Sequence, residues 1–209
     1  MNIQPIVEGH GEVAAVPVLL RRMVEEARAW ETDIGKPIRR RRSQLVQKTD
    51  LQKTVRLALL QPGCDAILIL FDGDRDCPAE LGPMVHRWAE EVSAGVPCEV
   101  VMPHREYEAW FLAAIESLRG HRGIRADADP HPEPENPRGA KEHLENRMRS
   151  GASYIETTDQ AAFSAKFSMA AAHDQCRSFR KLTRSFGALL RATGQSIGTW
   201  PPTAWTKTA

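Results

Sequence analysis

The run Ala66-Ile-Leu-Ile-Leu-Phe71 is apolar without interruption and is followed at once by Asp72-Gly-Asp-Arg-Asp76. A strand that alternates apolar and polar residues leaves one face in water. This one has no polar face to leave there, so it predicts a strand buried on both sides, as in a parallel sheet covered by helices above and below.

The flanking pattern has the matching alternation. Residues 2–7 read as a short strand with Pro5 near its start, and residues 13–29 carry apolar side chains at helical spacing. Pro17 is expected within the first turn or so of that helix, because a deeper proline costs about 3 kcal/mol. Residues 37–42 read as a second strand. Asp50 is the expected N-cap of a helix running to about residue 60, which Gln61-Pro62-Gly63 stops. A helix over 78–94, a strand over 98–102 and a helix over 106–118 complete a β-α-β-α-β-α-β-α order. The fold class expected is α/β, a mostly parallel sheet flanked by helices with right-handed crossovers, over residues 1–118. Pro130, Pro132, Pro134 and Pro137 mark residues 119–139 as a linker or lid. Helices over 140–149, 159–172 and 177–192, with an irregular tail from Thr199, make residues 140–209 a mainly helical C-terminal extension packed on the core.

Charge excludes little and directs attention to local patches. Lys and Arg total 28 against 27 Asp and Glu, so no global excess points to nucleic acid or a membrane. The apolar run at 13–20 is far short of a membrane span or a signal sequence, so a soluble, cytoplasmic chain with no membrane partner is expected. Cys64, Cys77, Cys98 and Cys176 form no CxxC pair, which argues against structural zinc and disulfide frameworks.

In an open parallel sheet, ligands bind beyond the carboxyl ends of the strands. Val7-Glu-Gly-His-Gly-Glu12 places Glu8 and Glu12 there, and the glycines permit a tight strand-to-helix turn. If the chain stays extended after Phe71, Asp72, Asp74 and Asp76 project to one side. Carboxylates sharing one cleft repel by several kcal/mol per close pair, so a cation is required. Hard oxygen donors without clustered imidazole or thiolate favour Mg²⁺ or Mn²⁺ over zinc. Solvated turns also suit these residues, since Asp and Gly form turns and Glu is favoured in a first helical turn. Two such motifs at consecutive strand ends weigh toward a site. His10 reads either as a turn residue or as a catalytic group.

A third junction, Met102-Pro-His-Arg-Glu-Tyr-Glu108, offers Glu106 as a supporting metal ligand, while Glu108 complements the helix dipole. His104 and Arg105 suit phosphate contacts or a solvated junction equally. Tyr107, Trp110 and Phe111 read as helix-to-sheet core.

The spacing Glu8-Gly-x-Gly-Glu12 followed by a hydrophobic strand ending in Asp72-x-Asp74 resembles the Toprim domain of topoisomerases, bacterial primases and OLD-family nucleases. Val7 to Glu12, Asp72 to Gly82 and Arg105 to Leu112 resemble more closely the bacterial Toprim family catalogued as domain of unknown function 4276. Arg138-Gly-Ala-Lys141, the stretch from Tyr154 to Asp159 and Ser178-Phe-Arg-Lys-Leu182 extend the likeness over most of the chain. The resemblance implies a β/α core binding divalent metal through Glu8, Asp72 and Asp74, with Glu12 available for a second ion and Asp76 and Glu106 in support. It implies hydrolysis of phosphodiesters by an OLD-like nuclease, which suggests defence against phage or plasmids. Such domains often work with an ATPase, and the sequence has no Walker A motif, so an ATPase partner would be a separate chain.

From Gln160 onward, Lys166, Arg177, Arg180, Lys181, Arg184, Arg191 and Lys207 face the single acid Asp174. Arg177, Arg180, Lys181 and Arg184 share one helix side, suited to gripping DNA or RNA phosphates, and equally to a solvated surface. Arg39 to Arg42 carries the same two readings. The expected function is metal-dependent cleavage of nucleic acid by Glu8, Glu12, Asp72 and Asp74. The alternative is a non-catalytic or conditionally active partner subunit of an ATPase complex. A phosphatase of the haloacid dehalogenase type is disfavoured, since its Asp-x-Asp motif follows the first strand.

Overall fold

The computed structural model describes residues 1–206. Its sheet comprises β1 (Asn2–Val7), β2 (Asp33–Ile34), β3 (Ile38–Arg39), β4 (Cys64–Leu70) and β5 (Cys98–Val101). The order is β2-β1-β4-β5, β3 also pairs with β1, and every pairing is parallel. Among the described residues the α-helices are α1 (Glu12–Ala27), α2 (Arg42–Leu45), α3 (Lys48–Leu59), α4 (Pro78–Glu90), α5 (Ala109–Ala113), α6 (Ala140–Glu145), α7 (Glu156–Ser164), α8 (Met169–Gln175) and α9 (Arg177–Ala192). None is long and apolar enough to cross a membrane.

Strand periodicity sorts the core into two layers. Ile3, Val7, Ala66, Leu68, Leu70 and Val101 pack with α1 and α9, whereas Ile6, Ile67, Ile69, Phe71 and Val100 pack with α3 and α4. The first layer is one continuous cluster: Ile3 and Leu20 share it with Phe163, Phe167, Phe179, Phe186 and Trp205. Helix α9 serves as a cover for the sheet, because Phe179, Leu182, Phe186 and Leu190 recur at helical spacing and are fully buried.

Pro5 stands fourth in an interior strand, deeper than expected. β2 pairs with Asn2 and Ile3, β3 pairs with Ile6 and Val7, and Pro5 faces the gap between them. Its carbonyl there takes the Gln4 side-chain amide at 3.1 Å, so the donor that proline lacks interrupts no ladder. This gap also shortens the strand expected over 37–42 to Ile38–Arg39 and frees Arg42 to begin α2.

Other boundaries moved for local reasons. Pro17 lies in the second turn of α1, where the burial of Ala15, Val16, Leu19 and Leu20 around it outweighs one missing helix bond. Gln47, not Asp50, caps α3, and Asp50 sits in its first turn. The helix expected over 106–118 becomes α5 and a 3₁₀ turn at Ile115–Leu118, because the backbone before it is bent into the cleft described below. The helix expected over 159–172 divides into α7 and α8, with Ser168 capping α8 through the Ala171 N–H at 3.2 Å. Residues 119–139 bury Ile124 and Ala128 in the main cluster, and Ile124 bridges Met148. A 3₁₀ turn at Thr203–Trp205 docks Trp205 on the same cluster. Lys207 lies outside the described residues.

Candidate active site

β1 and β4 end side by side, with Val7 in register with Leu70, so Glu8 and Asp72 leave adjacent strand ends. The chain then enters α1 through Gly9-His10-Gly11. A Cβ on Gly11 would stand 2.4 Å from Gln160 Oε1 and 2.7 Å from the Glu156 carbonyl oxygen, so the approach of α7 leaves room only for glycine. Glu12 folds back over this turn, and its Oε2 accepts the N–H groups of Glu8 at 2.9 Å and Gly9 at 3.0 Å. It is 3% exposed, and that burial pushes its carboxyl up to about 7. The two N–H bonds oppose the rise, while repulsion from Glu8 and Glu108 adds to it.

The loop after β4 is not extended. Gly73 N–H bonds the Pro103 carbonyl and Asp74 N–H bonds the Arg105 carbonyl, each at 2.9 Å, which zips this loop to the one after β5. Asp74 and Arg105 both adopt left-handed backbone, with φ of 48° and 70°. Such positions in non-glycine residues store strain and concentrate at functional sites. Asp72 Oδ1 accepts the Tyr107 N–H at 2.9 Å. Burial raises the Asp72 carboxyl well above its usual range, repulsion from Glu12, Glu108 and Glu8 adds to this, and Lys141 opposes it. Glu8 is also raised by burial, against the pull of Arg42.

Positive charge in the cleft comes from the chain itself. Arg42 donates to the Asp72 carbonyl, and to the Gly73 carbonyl at 3.3 Å. It pairs with Asp74 at 3.3 Å, with Asp76, and with Glu8 at 4.0 Å, and its guanidinium lies 5.5 Å from the centre of the Phe71 ring. Lys141 Nζ pairs with Glu156 at 2.6 Å, and its backbone N–H bonds Glu106 Oε2 at 3.2 Å. Burial alone would lower the Lys141 ammonium, but Glu108, Glu156 and Asp72 raise it above its ordinary value.

Beneath these groups lies Glu108, fully buried and raised by that burial. Its Oε1 accepts the Tyr154 hydroxyl at 2.7 Å and the Gln160 amide at 3.3 Å, while its Oε2 has no partner. Glu108 is therefore a member of a buried acidic cluster, where the sequence alone assigned it to the helix dipole.

Of the residues singled out from sequence, Glu8, Glu12 and Asp72 converge most closely. Asp74 and Asp76 are exposed and drawn together by Arg42, and Glu106 sits at the rim against α6. His10 is exposed on the turn. Arg42, Lys141, Glu156, Tyr154 and Gln160 were not legible as site residues. Lys141 and the Tyr154 to Asp159 stretch carry only the family resemblance, and nothing distinguishes Arg42 within its run of arginines. Among the described residues, no three His, Cys, Asp or Glu side chains form a ready-made metal site. The reason is visible: Glu12 is turned to backbone N–H groups, and Arg42 holds Asp74 and Asp76. The donor set still suits a hard divalent cation, being all carboxylate oxygen, and Glu8 Oε2 is buried without a hydrogen bond.

The basic side of α9 is partly engaged within the fold. Arg180 donates to the His173 and Asp174 carbonyls at 2.8 and 2.7 Å, and Lys181 pairs with Glu99 at 2.8 Å. Arg177 and Arg184 remain exposed, with no ion pair among the described residues. The first amides of α9, those of Arg177 and Ser178, bond the Glu135 carboxylate at 2.8 and 2.9 Å.

No curated protein and no solved structure matches the chain. Residues 7–186, from the end of β1 through most of α9, match the domain of unknown function DUF4276. The match takes in the Glu8 to Glu12 turn, the Asp72 to Asp76 loop, Lys141 and the Tyr154 to Gln160 stretch, and the chain belongs to the DUF4276 family.

Proposed function

We infer that this chain hydrolyses phosphodiester bonds in nucleic acid with a bound divalent cation, as a nuclease of the Toprim and OLD-like kind. The observation that carries the reading is the convergence of Glu8, Glu12 and Asp72 at two adjacent strand ends, all raised by burial, with Glu8 Oε2 buried without a hydrogen bond and only a 4.0 Å ion pair to Arg42 beside it. Such a cluster is electrostatically poised for a cation. Glu8, Asp72 and Asp74 would hold Mg²⁺ or Mn²⁺, with Glu12 available for a second ion and Asp76 and Glu106 at the rim. When bound, the ion would polarise the phosphate and lower the pKa of water. The protein's own groups do the rest of the positioning. Tyr107 N–H orients Asp72, the Glu8 and Gly9 N–H groups orient Glu12, and Lys141 balances the buried acids beneath.

Glu8→Gln and Asp72→Asn keep the shapes of these side chains, and each is expected to abolish Mn²⁺-stimulated cleavage of DNA or RNA while the melting curve stays cooperative. Undiminished cleavage by both purified variants would overturn the reading. One observation favours a second reading, a conditionally active subunit of an ATPase complex: Arg42 bridges Glu8, Asp74 and Asp76 where a metal would sit. Mn²⁺ binding by the isolated chain without any cleavage would select it.

A further inference from the structure

Beside the carboxylates, at the loops after β4 and β5, a cleft of about 400 Å³ is lined by Arg42, Asp74, Arg75, Asp76, Arg105, Glu106 and Arg138. Four guanidinium groups meet three carboxylates, and the pairing is uneven. Arg42 alone engages both Asp74 and Asp76, and Glu106 takes the Lys141 backbone N–H. The side chains of Arg75, Arg105 and Arg138 have no hydrogen-bond or ion-pair partner among the described residues. For Arg105 the omission is conspicuous, because its Nε is buried and unsatisfied. Its left-handed backbone, fixed by the Asp74 N–H on its carbonyl, holds this side chain at the cleft rather than free in solvent.

Unpaired guanidinium groups lining one concavity match an oxyanion, and their fork geometry suits the oxygens of phosphate. We propose that Arg75, Arg105 and Arg138 form a subsite that holds a phosphate of a nucleic-acid strand next to the one presented to Glu8 and Asp72. The volume accommodates a phosphate together with its sugar. The basic end of α9 lies on the same side, since Glu135 joins the first amides of α9 to His104, whose Nδ1 is 2.6 Å from the Glu135 carbonyl oxygen. The subsite rests on the nucleic-acid reading above, but its test does not depend on hydrolysis.

The test uses the full chain in EDTA, so that no cleavage intervenes. Anisotropy of a short labelled DNA strand, with and without a terminal phosphate, is compared for the wild type, Arg138→Gln and Arg105→Gln/Arg138→Gln, each checked by thermal melting. Arg138 is exposed, so its variant reports on binding even where the double variant folds poorly. The double variant is expected to bind roughly tenfold more weakly, with its log affinity against log salt slope reduced by about 0.7, and Arg138→Gln to move the same way. Inorganic phosphate is expected to compete with the strand for the wild type. Preference for the phosphorylated end assigns the subsite to a terminal phosphate, and equal binding assigns it to an internal one. A wild type that binds no strand, or variants with unchanged affinity and salt slope, would overturn the proposal. Binding lost in the variants while the wild type never cleaves with Mn²⁺ keeps the subsite and removes hydrolysis. Cleavage by the variants at wild-type KM and kcat removes the subsite and keeps hydrolysis.

Discussion

Glu12→Gln is expected to stabilise the metal-free protein at alkaline pH, although it removes a residue of the candidate site. Burial raises the Glu12 carboxyl from 4.5 to about 7 in the folded chain. Below pH 4.5 it is protonated whether the chain is folded or unfolded, and contributes no difference. Between pH 4.5 and about 7 the unfolded chain ionises while the folded one keeps its proton, so stability falls as pH rises. Above about 7 the full cost of a buried charge is present. A gap of about 2.5 pH units at about 1.4 kcal/mol each puts that cost on the order of 3 kcal/mol. The Gln side-chain oxygen retains the N–H bonds from Glu8 and Gly9 without the charge. At roughly 2–4 °C per kcal/mol for a chain of this size, the variant should melt about 6–12 °C above the wild type at pH 8, and close to it at pH 4.5. Thermal melting followed by circular dichroism in EDTA, across that pH range, reads the effect. Parallel curves for the two proteins, or a variant less stable at pH 8, would refute the argument that Glu12 is a buried and unneutralised acid.

Arg42→Gln removes the counter-ion of Asp74 and Asp76 and is expected to cost about 1–2 kcal/mol in urea denaturation, because the pairs are partly solvated. The same variant should bind Mn²⁺ more tightly by calorimetry, since the guanidinium no longer competes for the carboxylates; weaker binding would show that it supports the metal site instead. Gly11→Ala is expected to lose about 1–3 kcal/mol by forcing α7 off the turn, whereas Gly198→Ala, which meets nothing within 4 Å, should be neutral in the same denaturation assay. Arg177→Gln/Arg184→Gln should reduce the salt slope on duplex DNA by about 2 units if the exposed side of α9 grips phosphates, and an unchanged slope would assign that side to solvent.

The sheet and its helices were readable because the signals behind them are local. Ala66 to Phe71 is apolar at every position, which no half-solvated strand tolerates, and Phe179, Leu182, Phe186 and Leu190 repeat at the helical period. The position of the acids was readable for the same reason, since Glu8 and Asp72 directly follow strands that a parallel sheet aligns at one edge. Their surroundings were not. Arg42 is one of four consecutive arginines with equal local claims, and only the gap between β2 and β3, followed by α2, turns it into the cleft. Glu108 has the sequence signature of a solvated helix start. It becomes a buried acid only because Tyr154 and Gln160, far along the chain, close over it. Hydrophobic period and strand-end position are properties of neighbouring residues, and the sequence by itself determined them: the α/β class, the buried β4 and the edge where carboxylates collect. The partner of a charge and the depth of its burial depend on segments brought together from across the chain, and those the tertiary structure alone decided.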